Sequence, residues 1–266
     1  MGSFLYAVKL FIVCYIGLVT ILYFLQRKMI YFPLKSPPSL EALSDVYKEV
    51  TSSTQEGLKL THWYSKQGPP YIIVFHGNAG NIESRGHRFK FLADQGYSVL
   101  IASYRGYGSN PGQPTEKHLI DDSSLRLEWL LKEEGISSKE VILFGESLGS
   151  AVAIATAENH PVKALLFDGA FSSVRDIAKS LYFFIPVGLL LKDSWDSEKR
   201  IKNIKSPLFF IHAKQDSTVS FRFGQKLFDS ANEPKKHLWL DNSDHNANLE
   251  QDGVQQSIID FIQSLL

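Results

Sequence analysis

A glycine-flanked serine is the first feature of this chain that could carry chemistry. Residues 145–150 read Gly-Glu-Ser-Leu-Gly-Ser, and they follow a short apolar run and precede an alanine-rich stretch. The spacing fits G-x-S-x-G, a pattern in which a sharp strand-to-helix turn exposes the serine oxygen as a nucleophile. Ser147 is therefore a candidate nucleophile. The alternative is that Ser147 only caps the helix that follows it.

A serine hydroxyl is a weak nucleophile, and two later loops offer the groups that could activate it. Asp216 and His245 each follow a short apolar run, so each lies beyond the end of a predicted strand. A histidine can accept the serine proton, and a carboxylate can hold the imidazole in the required tautomer. We predict that Ser147, Asp216 and His245 are the catalytic residues. Asp168 also follows an apolar run and is a rival for the role of the acid.

A glycine-rich loop, His76-Gly77-Asn78-Ala79-Gly80, follows another apolar run. Such a loop could cradle a phosphate, but the lysine and the serine or threonine of a P-loop are missing. We predict instead that the backbone amides of Asn78 and Leu148 form an oxyanion hole, with Ala79 as the alternative to Asn78. His76 is expected to order this loop rather than to act as the base.

Short apolar runs alternate with helix-forming stretches throughout the larger part of the chain. Two candidate strands, at residues 46–51 and 58–64, predict an antiparallel start. The later apolar runs are continuous rather than alternating, which is typical of a mostly parallel sheet covered by helices on both faces. We therefore predict an α/β fold. In such sheets functional residues lie beyond the carboxyl ends of the strands, where each candidate residue is found.

The N-terminus differs from the rest of the chain, because residues Phe4–Leu25 are apolar except for Lys9 and Thr20. As a helix they would span about 33 Å, enough to cross a hydrocarbon core of about 30 Å. The segment runs into Gln26 and then a basic pair, and no A-x-A-like cleavage site is present. We predict a retained, single-pass membrane anchor at residues 1–28 rather than a signal peptide or a core helix. The flanking charges favour a cytoplasmic catalytic domain by only one or two residues, so the side of the membrane on which this domain lies stays open.

Composition excludes several other classes of function. The chain of 266 residues holds 28 basic and 28 acidic residues, so no excess charge points to nucleic acid. The single cysteine, Cys14, cannot form an internal disulfide, and no C-x-x-C or H-E-x-x-H motif occurs. We expect neither a metal nor a cofactor. The domain organisation is predicted as the anchor, a proline-containing linker at residues 29–44, and one catalytic domain at residues 45–266.

Taken together, these motifs resemble the α/β-hydrolase superfamily, and within it the membrane-anchored branch of depalmitoylase-like and serine aminopeptidase-like proteins. The likeness covers nearly the whole chain and rests on the segments QRKMIYFP, HGNAGN, SYRGYGSNPGQPTE and GESLGSAVA. It implies an α/β-hydrolase fold with one preceding transmembrane helix. It also implies Ser147 as nucleophile, Asp216 as acid, His245 as base and residues 76–78 as the oxyanion loop.

The sequence thus predicts a membrane-anchored serine hydrolase that cleaves carboxylic ester or thioester bonds through an acyl-enzyme. Its expected partners are an acyl substrate, which can itself reside in the membrane, and the lipid bilayer. Two alternatives stay open: a serine peptidase or amidase that uses the same residues, and a non-catalytic hydrolase-fold binding protein. The apolar segment 181–191 is expected either to pack in the core or to offer an apolar surface to an acyl chain or the membrane.

Overall fold

The computed structural model of the chain describes residues 2–245 and 248–266, which form a central sheet with helices on both faces. The strands in chain order are β1 (Phe32–Pro33), β2 (Lys48–Ser53), β3 (Lys59–Ser65), β4 (Gly68–Phe75), β5 (Ala79–Gly80), β6 (Tyr97–Ala102), β7 (Val141–Glu146), β8 (Ala164–Asp168), β9 (Leu208–Ala213) and β10 (Lys235–Leu240). The helices are α1 (Gly2–Ile30), α2 (Ile82–Asp94), α3 (Glu116–Glu134), α4 (Leu148–Asn159), α5 (Val174–Leu181), α6 (Val187–Leu190), α7 (Ser197–Ile201), α8 (Phe221–Ser230) and α9 (Val254–Gln263).

The central sheet, as far as these residues define it, has eight strands in the order β10-β9-β8-β7-β4-β6-β3-β2. The pairs β2–β3 and β3–β6 are antiparallel, and the other neighbouring strands are parallel. The prediction of an α/β-hydrolase fold with an antiparallel start and a mostly parallel sheet is confirmed. Because β4, β7, β8 and β9 run in the same direction, their carboxyl ends meet at one edge of the sheet.

Consecutive residues of β4 show how the sheet separates two layers of the core. Ile73 and Phe75 belong to the cluster that includes α3 and α4, whereas Ile72 and Val74 belong to the cluster that includes α2 and α9. All four side chains are fully buried. An interior strand that is covered on both faces needs apolar residues at every position, which explains why the sequence runs are continuous rather than alternating.

Helix α1 projects most of its apolar residues away from the rest of the chain. Within the described residues it is the one helix long and apolar enough to cross a membrane, and none of its most apolar window is buried. The less exposed positions Tyr15, Val19, Leu22, Gln26 and Ile30 recur at helical spacing. They define one face of α1, and this face contacts the rest of the chain.

A buried carboxylate fixes the C-terminal end of α1 to the domain. The Arg27 side chain donates through Nε to Oδ2 of Asp193 over 3.0 Å, and the Tyr31 hydroxyl donates to the same atom over 3.2 Å. Trp195 Nε1 donates in turn to the Tyr31 hydroxyl over 3.1 Å. A buried charge is costly without donors. These contacts therefore hold the end of the helix and the Asp193 loop together.

The first part of the predicted linker, residues 29–44, is hydrogen-bonded to the rest of the chain. The helix continues to Ile30, and β1 then pairs in parallel with β5. The backbone amide of Phe32 donates to the Asn78 carbonyl over 2.8 Å, and the Asn78 side chain donates to the Ile30 carbonyl over 2.9 Å. This segment therefore connects the apolar helix directly to the glycine-rich loop.

Candidate active site

The turn at Ser147 explains why the sequence needs glycine on both sides of it. Ser147 lies between β7 and α4 with a φ of +50°, a conformation that residues other than glycine rarely adopt. A side chain at Gly145 would overlap the backbone of Ser150, and one at Gly149 would overlap the carbonyl of Phe75. The turn is thus packed so closely against its neighbours that both positions exclude a Cβ atom.

Ser147, His245 and Asp216 form a continuous hydrogen-bonded chain at the carboxyl edge of the sheet. Nε2 of His245 lies 2.9 Å from Oγ of Ser147, and Nδ1 of His245 lies 2.7 Å from Oδ2 of Asp216. All three residues are buried. Ser147 follows β7, Asp216 follows β9 and His245 follows β10, so the structure brings together the three residues that the sequence analysis selected.

Asp216 is surrounded by donors that favour its charged form. Burial alone would raise the pKa of Asp216, but hydrogen bonds from His212, His245 and the Val219 amide hold it well below its usual range. The Val219 amide donates to Oδ1 over 2.6 Å, and Nε2 of His212 lies 3.2 Å from Oδ2. The sequence analysis missed His212, because a lone histidine within an apolar strand shows no pattern that marks a functional residue.

The position of His245 depends on a neighbouring glycine as well as on Asp216. Burial would lower the pKa of His245, but the hydrogen bond and the charge of Asp216 outweigh it and raise this pKa above its ordinary value. Gly169 has a φ of +67°, and a Cβ atom at that position would lie 2.8 Å from Cε1 of His245. Any side chain at position 169 would therefore press on the imidazole ring.

Asp168, the rival for the acid, is engaged by other partners. Its Oδ1 accepts from Nδ2 of Asn248 over 2.6 Å, and its Oδ2 accepts from Nη2 of Arg88 over 3.1 Å. Burial raises the pKa of Asp168 to about 6, although the Arg88 charge opposes this shift. Within the described residues no hydrogen bond joins Asp168 to His245. Asp168 instead supports the loop that carries His245, through Asn248.

Glu146, the variable residue before the serine, fixes the turn to α2. Its carboxylate lies 2.7 Å from Nη2 of Arg85 and 3.2 Å from Nη1 of Arg88. Burial would raise the pKa of Glu146, but the two guanidinium charges outweigh it and lower the pKa to about 2. With Asp168, these side chains form a charge-balanced group next to Ser147. The sequence analysis gave the two arginines no role, since charges on a surface helix are usually solvated.

His76 lies in the glycine-rich loop and has contacts that order it. Nδ1 of His76 is 2.7 Å from the Gly77 carbonyl oxygen, and its ring packs against Tyr104 with a centroid distance of 4.1 Å. Burial lowers the pKa of His76 to about 3, so the ring is neutral. In the described part of the chain the Ser147 hydroxyl contacts His245 and not His76, which agrees with a role for His76 in loop structure.

The two amides predicted for an oxyanion hole belong to the residue after the serine and to the glycine-rich loop that follows β4. Leu148 is the first residue of α4, where the helix carries partial positive charge. Asn78 follows Gly77, at which an added Cβ would lie 3.5 Å from Cβ of Ser147. The Asn78 carbonyl accepts from the Tyr107 hydroxyl over 2.7 Å, which orients the peptide group between Asn78 and Ala79 and thus the amide of Ala79, the alternative donor. The assignment of these amides to an oxyanion hole stays a prediction.

The donor atoms around the serine are arranged for proton transfer. Both ring nitrogens of His245 are already engaged, one with Ser147 and the other with Asp216.

Over residues 2–245 and 248–266, no group of three or more His, Cys, Asp or Glu side chains is placed to hold a metal ion.

Several known proteins are similar to this chain in sequence. A family model described as "Serine aminopeptidase, S33" matches residues 69–185. The uncharacterized protein MT2364 of Mycobacterium tuberculosis is 34% identical over 235 residues, which cover 86% of this chain and 84% of that protein. The alpha/beta hydrolase domain-containing protein WAV2 of Arabidopsis thaliana is 30% identical over 227 residues, which cover 76% of this chain and 74% of WAV2.

The solved structures include a close match to the arrangement of strands and helices. The esterase Pf2001 of Pyrococcus furiosus superposes with a TM-score of 0.71 at 20% sequence identity. The match covers 88% of this chain and 98% of the esterase. At this level of identity the likeness concerns the fold alone.

Proposed function

Because this chain belongs to the α/β-hydrolase superfamily, we propose that it is a membrane-anchored serine hydrolase that cleaves carboxylic ester or thioester bonds. The observation that carries the proposal is the hydrogen-bonded chain from Ser147 through His245 to Asp216. A serine that only capped a helix would need neither a histidine at its oxygen nor a buried carboxylate behind that histidine. A binding protein that merely used the scaffold would not need them either.

In the first half-reaction the serine becomes acylated. Oγ of Ser147 attacks the substrate carbonyl carbon while Nε2 of His245 takes the hydroxyl proton. The amides of Asn78 and Leu148 stabilise the negative oxygen of the tetrahedral intermediate. The intermediate then collapses, the bond from carbon to the alcohol oxygen or thiol sulfur breaks, and the leaving group takes the proton from His245.

In the second half-reaction water releases the acyl group. Nε2 of His245 takes a proton from the water as its oxygen attacks the acyl-enzyme, and the same proton returns to Oγ of Ser147 when the carboxylic acid leaves. Asp216 stays ionised throughout, since its pKa lies well below its usual range. It holds the Nδ1 hydrogen of His245 and stabilises the imidazolium in both half-reactions.

The membrane part of the proposal rests on α1. A helix of 29 residues is about 43 Å long, more than the roughly 30 Å of a hydrocarbon core. The exposure of its apolar window favours a lipid environment over a place in the core. The contacts of Arg27 with Asp193 and of Ile30 with Asn78 favour a helix that stays part of the protein.

Hydrolysis of a peptide or amide bond is the second candidate, and the description of the matching family model supports it. An aminopeptidase needs a carboxylate that binds the free amine of its substrate. In the described part of the site, however, Glu146 and Asp168 are paired with arginines and Asp216 with histidines. This arrangement favours an ester or a thioester.

The proposal is tested with a fluorophosphonate probe and a substrate panel on the full-length protein in lipid vesicles. We expect one covalent adduct, located on the peptide that contains Ser147, and turnover of acyl esters and acyl thioesters. Their turnover is compared with that of aminoacyl amides whose leaving group has a similar absorbance. An adduct elsewhere, or faster turnover of the amides than of the esters, would contradict the proposal.

The pH dependence of turnover provides a separate test of the link between Asp216 and His245. Only neutral His245 can accept the serine proton, so kcat/KM of an uncharged ester should fall as the pH drops through the pKa of His245. Because Asp216 raises that pKa, the midpoint of the acid limb should lie above the ordinary histidine value of about 6.5. Full recovery of activity after return to neutral pH is the control. A midpoint well below that value would show that Asp216 does not stabilise the imidazolium.

A further inference from the structure

An apolar cavity of about 180 Å³ lies between α1 and the segment that contains α5 and α6. One wall includes Val19, Leu22 and Ile30 of α1, and the opposite wall includes Ile177 and Ala178 of α5. Its volume exceeds that of the engineered cavity of about 150 Å³ that binds benzene. The space is therefore large enough for part of a hydrocarbon chain.

The amide side chain in the cavity wall has its polar atoms engaged by backbone groups. Gln26 of α1 donates through Nε2 to the Leu190 carbonyl over 3.2 Å and accepts through Oε1 from the Lys192 amide over 2.6 Å. Its hydrogen-bonding groups thus join α1 to the end of α6. The surface left to a ligand is almost entirely hydrocarbon, which suits a group without charge or hydrogen-bonding atoms.

Each wall of the cavity is connected to a residue at or beside the proposed catalytic site. Ile30 lines the cavity, and its carbonyl accepts a hydrogen bond from the side chain of Asn78. The opposite wall begins with Val174 of α5, shortly after Gly169, which lies against the His245 ring. An acyl group bound to Ser147 would therefore find the cavity between these two walls.

The outer end of the cavity reaches the level of the proposed membrane. The hydroxyl of Tyr15 donates to the Phe184 carbonyl over 2.7 Å, so the connection between α5 and α6 lies beside the middle of α1. Tyr15 precedes Leu25 by about 15 Å of helix rise, half of a hydrocarbon core. Phe183 and Leu189 on the same segment are 86% and 88% exposed, which suits lipid better than water.

We propose that this cavity binds the acyl chain of a membrane-resident substrate, so that α1 forms part of the substrate-binding site as well as the anchor. The inference rests on the proposed hydrolase function and adds the substrate class, a long-chain acyl ester or thioester. The carbonyl end of the acyl chain lies at Ser147, and its first part lies between α1 and α5. The remainder of the acyl chain continues into the surrounding lipid leaflet.

Two pairs of variants test the cavity, with the full-length protein in phosphatidylcholine vesicles. Ala178→Trp and Val19→Trp fill the cavity from opposite walls. Ser180→Trp and Leu18→Trp place the same indole on exposed positions of the same two helices. The substrates are p-nitrophenyl acetate and p-nitrophenyl palmitate, and fluorophosphonate labelling of Ser147 reports whether each variant is folded.

We expect both cavity variants to lower kcat/KM for the palmitate ester at least tenfold and to change the acetate ester less than twofold. The two exposed variants should match the wild type on both esters. Equal losses on acetate and palmitate, or no loss on either, would overturn the proposal. In those cases the acyl chain of the substrate binds elsewhere, or the cavity holds only a structural lipid tail.

A binding experiment separates this inference from the proposed function. Ser147→Ala protein is irradiated with a diazirine analogue of palmitic acid, with and without excess palmitic acid. We expect labelling of α5 and of the Val19 face of α1, and we expect excess palmitic acid to prevent this labelling. The same labelling should decrease in Ala178→Trp but not in Ser180→Trp. Absence of such labelling overturns the inference even if the esters are hydrolysed. Its presence without hydrolysis by the wild type would overturn the proposed function alone.

Discussion

Replacing Ser147 by alanine is expected to lower kcat for ester hydrolysis by about a million-fold, the loss that removal of a serine nucleophile causes in other serine hydrolases. The variant would keep the proposed substrate cavity and the predicted oxyanion amides, so some acceleration over the uncatalysed reaction of water should remain. His245 would keep its hydrogen bond to Asp216 but would have no hydroxyl to deprotonate. Steady-state hydrolysis of p-nitrophenyl acetate and covalent labelling by a fluorophosphonate give the two measurements.

Ser257→Ala is the matched control. It removes a hydroxyl from α9 that, among the described residues, donates to the Gly253 carbonyl alone. This variant should hydrolyse the ester at the rate of the wild type. Retention of more than a tenth of the activity by Ser147→Ala would exclude Ser147 as the nucleophile, provided that both proteins unfold at the same temperature.

Asp216→Asn is expected to lower kcat by about ten-thousand-fold, because an amide nitrogen beside Nδ1 would favour the wrong tautomer of His245. Asp168→Asn should change kcat by less than about tenfold. Its effect should appear in the thermal unfolding temperature instead, since Arg88 would lose one of its buried carboxylate partners. The pair of variants therefore separates a catalytic carboxylate from a supporting one.

Both variants replace one carboxylate oxygen by an amide nitrogen, so each serves as the control for the other. If Asp168→Asn is the more damaging to kcat while its unfolding temperature is unchanged, the role of the acid passes to Asp168. The unfolding temperature of each protein in vesicles is needed alongside the rates, because a partly unfolded sample would imitate a catalytic loss.

The sequence predicted the sheet because the sheet depends on local patterns, and the same kind of pattern selected three residues that the structure brings within hydrogen-bond distance of one another. Continuous apolar runs of the type that forms β7 can be buried on both faces only in a covered parallel sheet, and helix-forming stretches separate them. The glycines around Ser147 have a steric cause, the lack of room for a Cβ atom, which leaves a mark in the sequence. Strand ends then placed Asp216 and His245 at the same edge of the sheet.

Contacts between distant segments were beyond the reach of the same reasoning. Helix α1 is apolar on nearly every face, so no periodicity could show that Val19 and Leu22 line a cavity opposite α5 while other positions of the helix are exposed. The partnership of Arg27 with Asp193 joins residues far apart in the chain, and neither residue has a distinctive neighbourhood. Asp168 ends β8 and Asp216 lies shortly after the end of β9, so both are at the same edge of the sheet. Only the path of the final loop decides which of them meets His245.

The hydrogen bonds between the end of α1 and the rest of the molecule have a consequence for evolution. An anchor on a free tether could be exchanged for any other apolar helix, but this helix shares the buried carboxylate of Asp193 with the domain. Substitutions at positions 27 and 31 should therefore covary with position 193 among relatives that keep the arrangement. Outward-facing positions such as Phe11 should drift freely among apolar residues. We therefore expect the apolar helix and the hydrolase domain to be inherited as one unit.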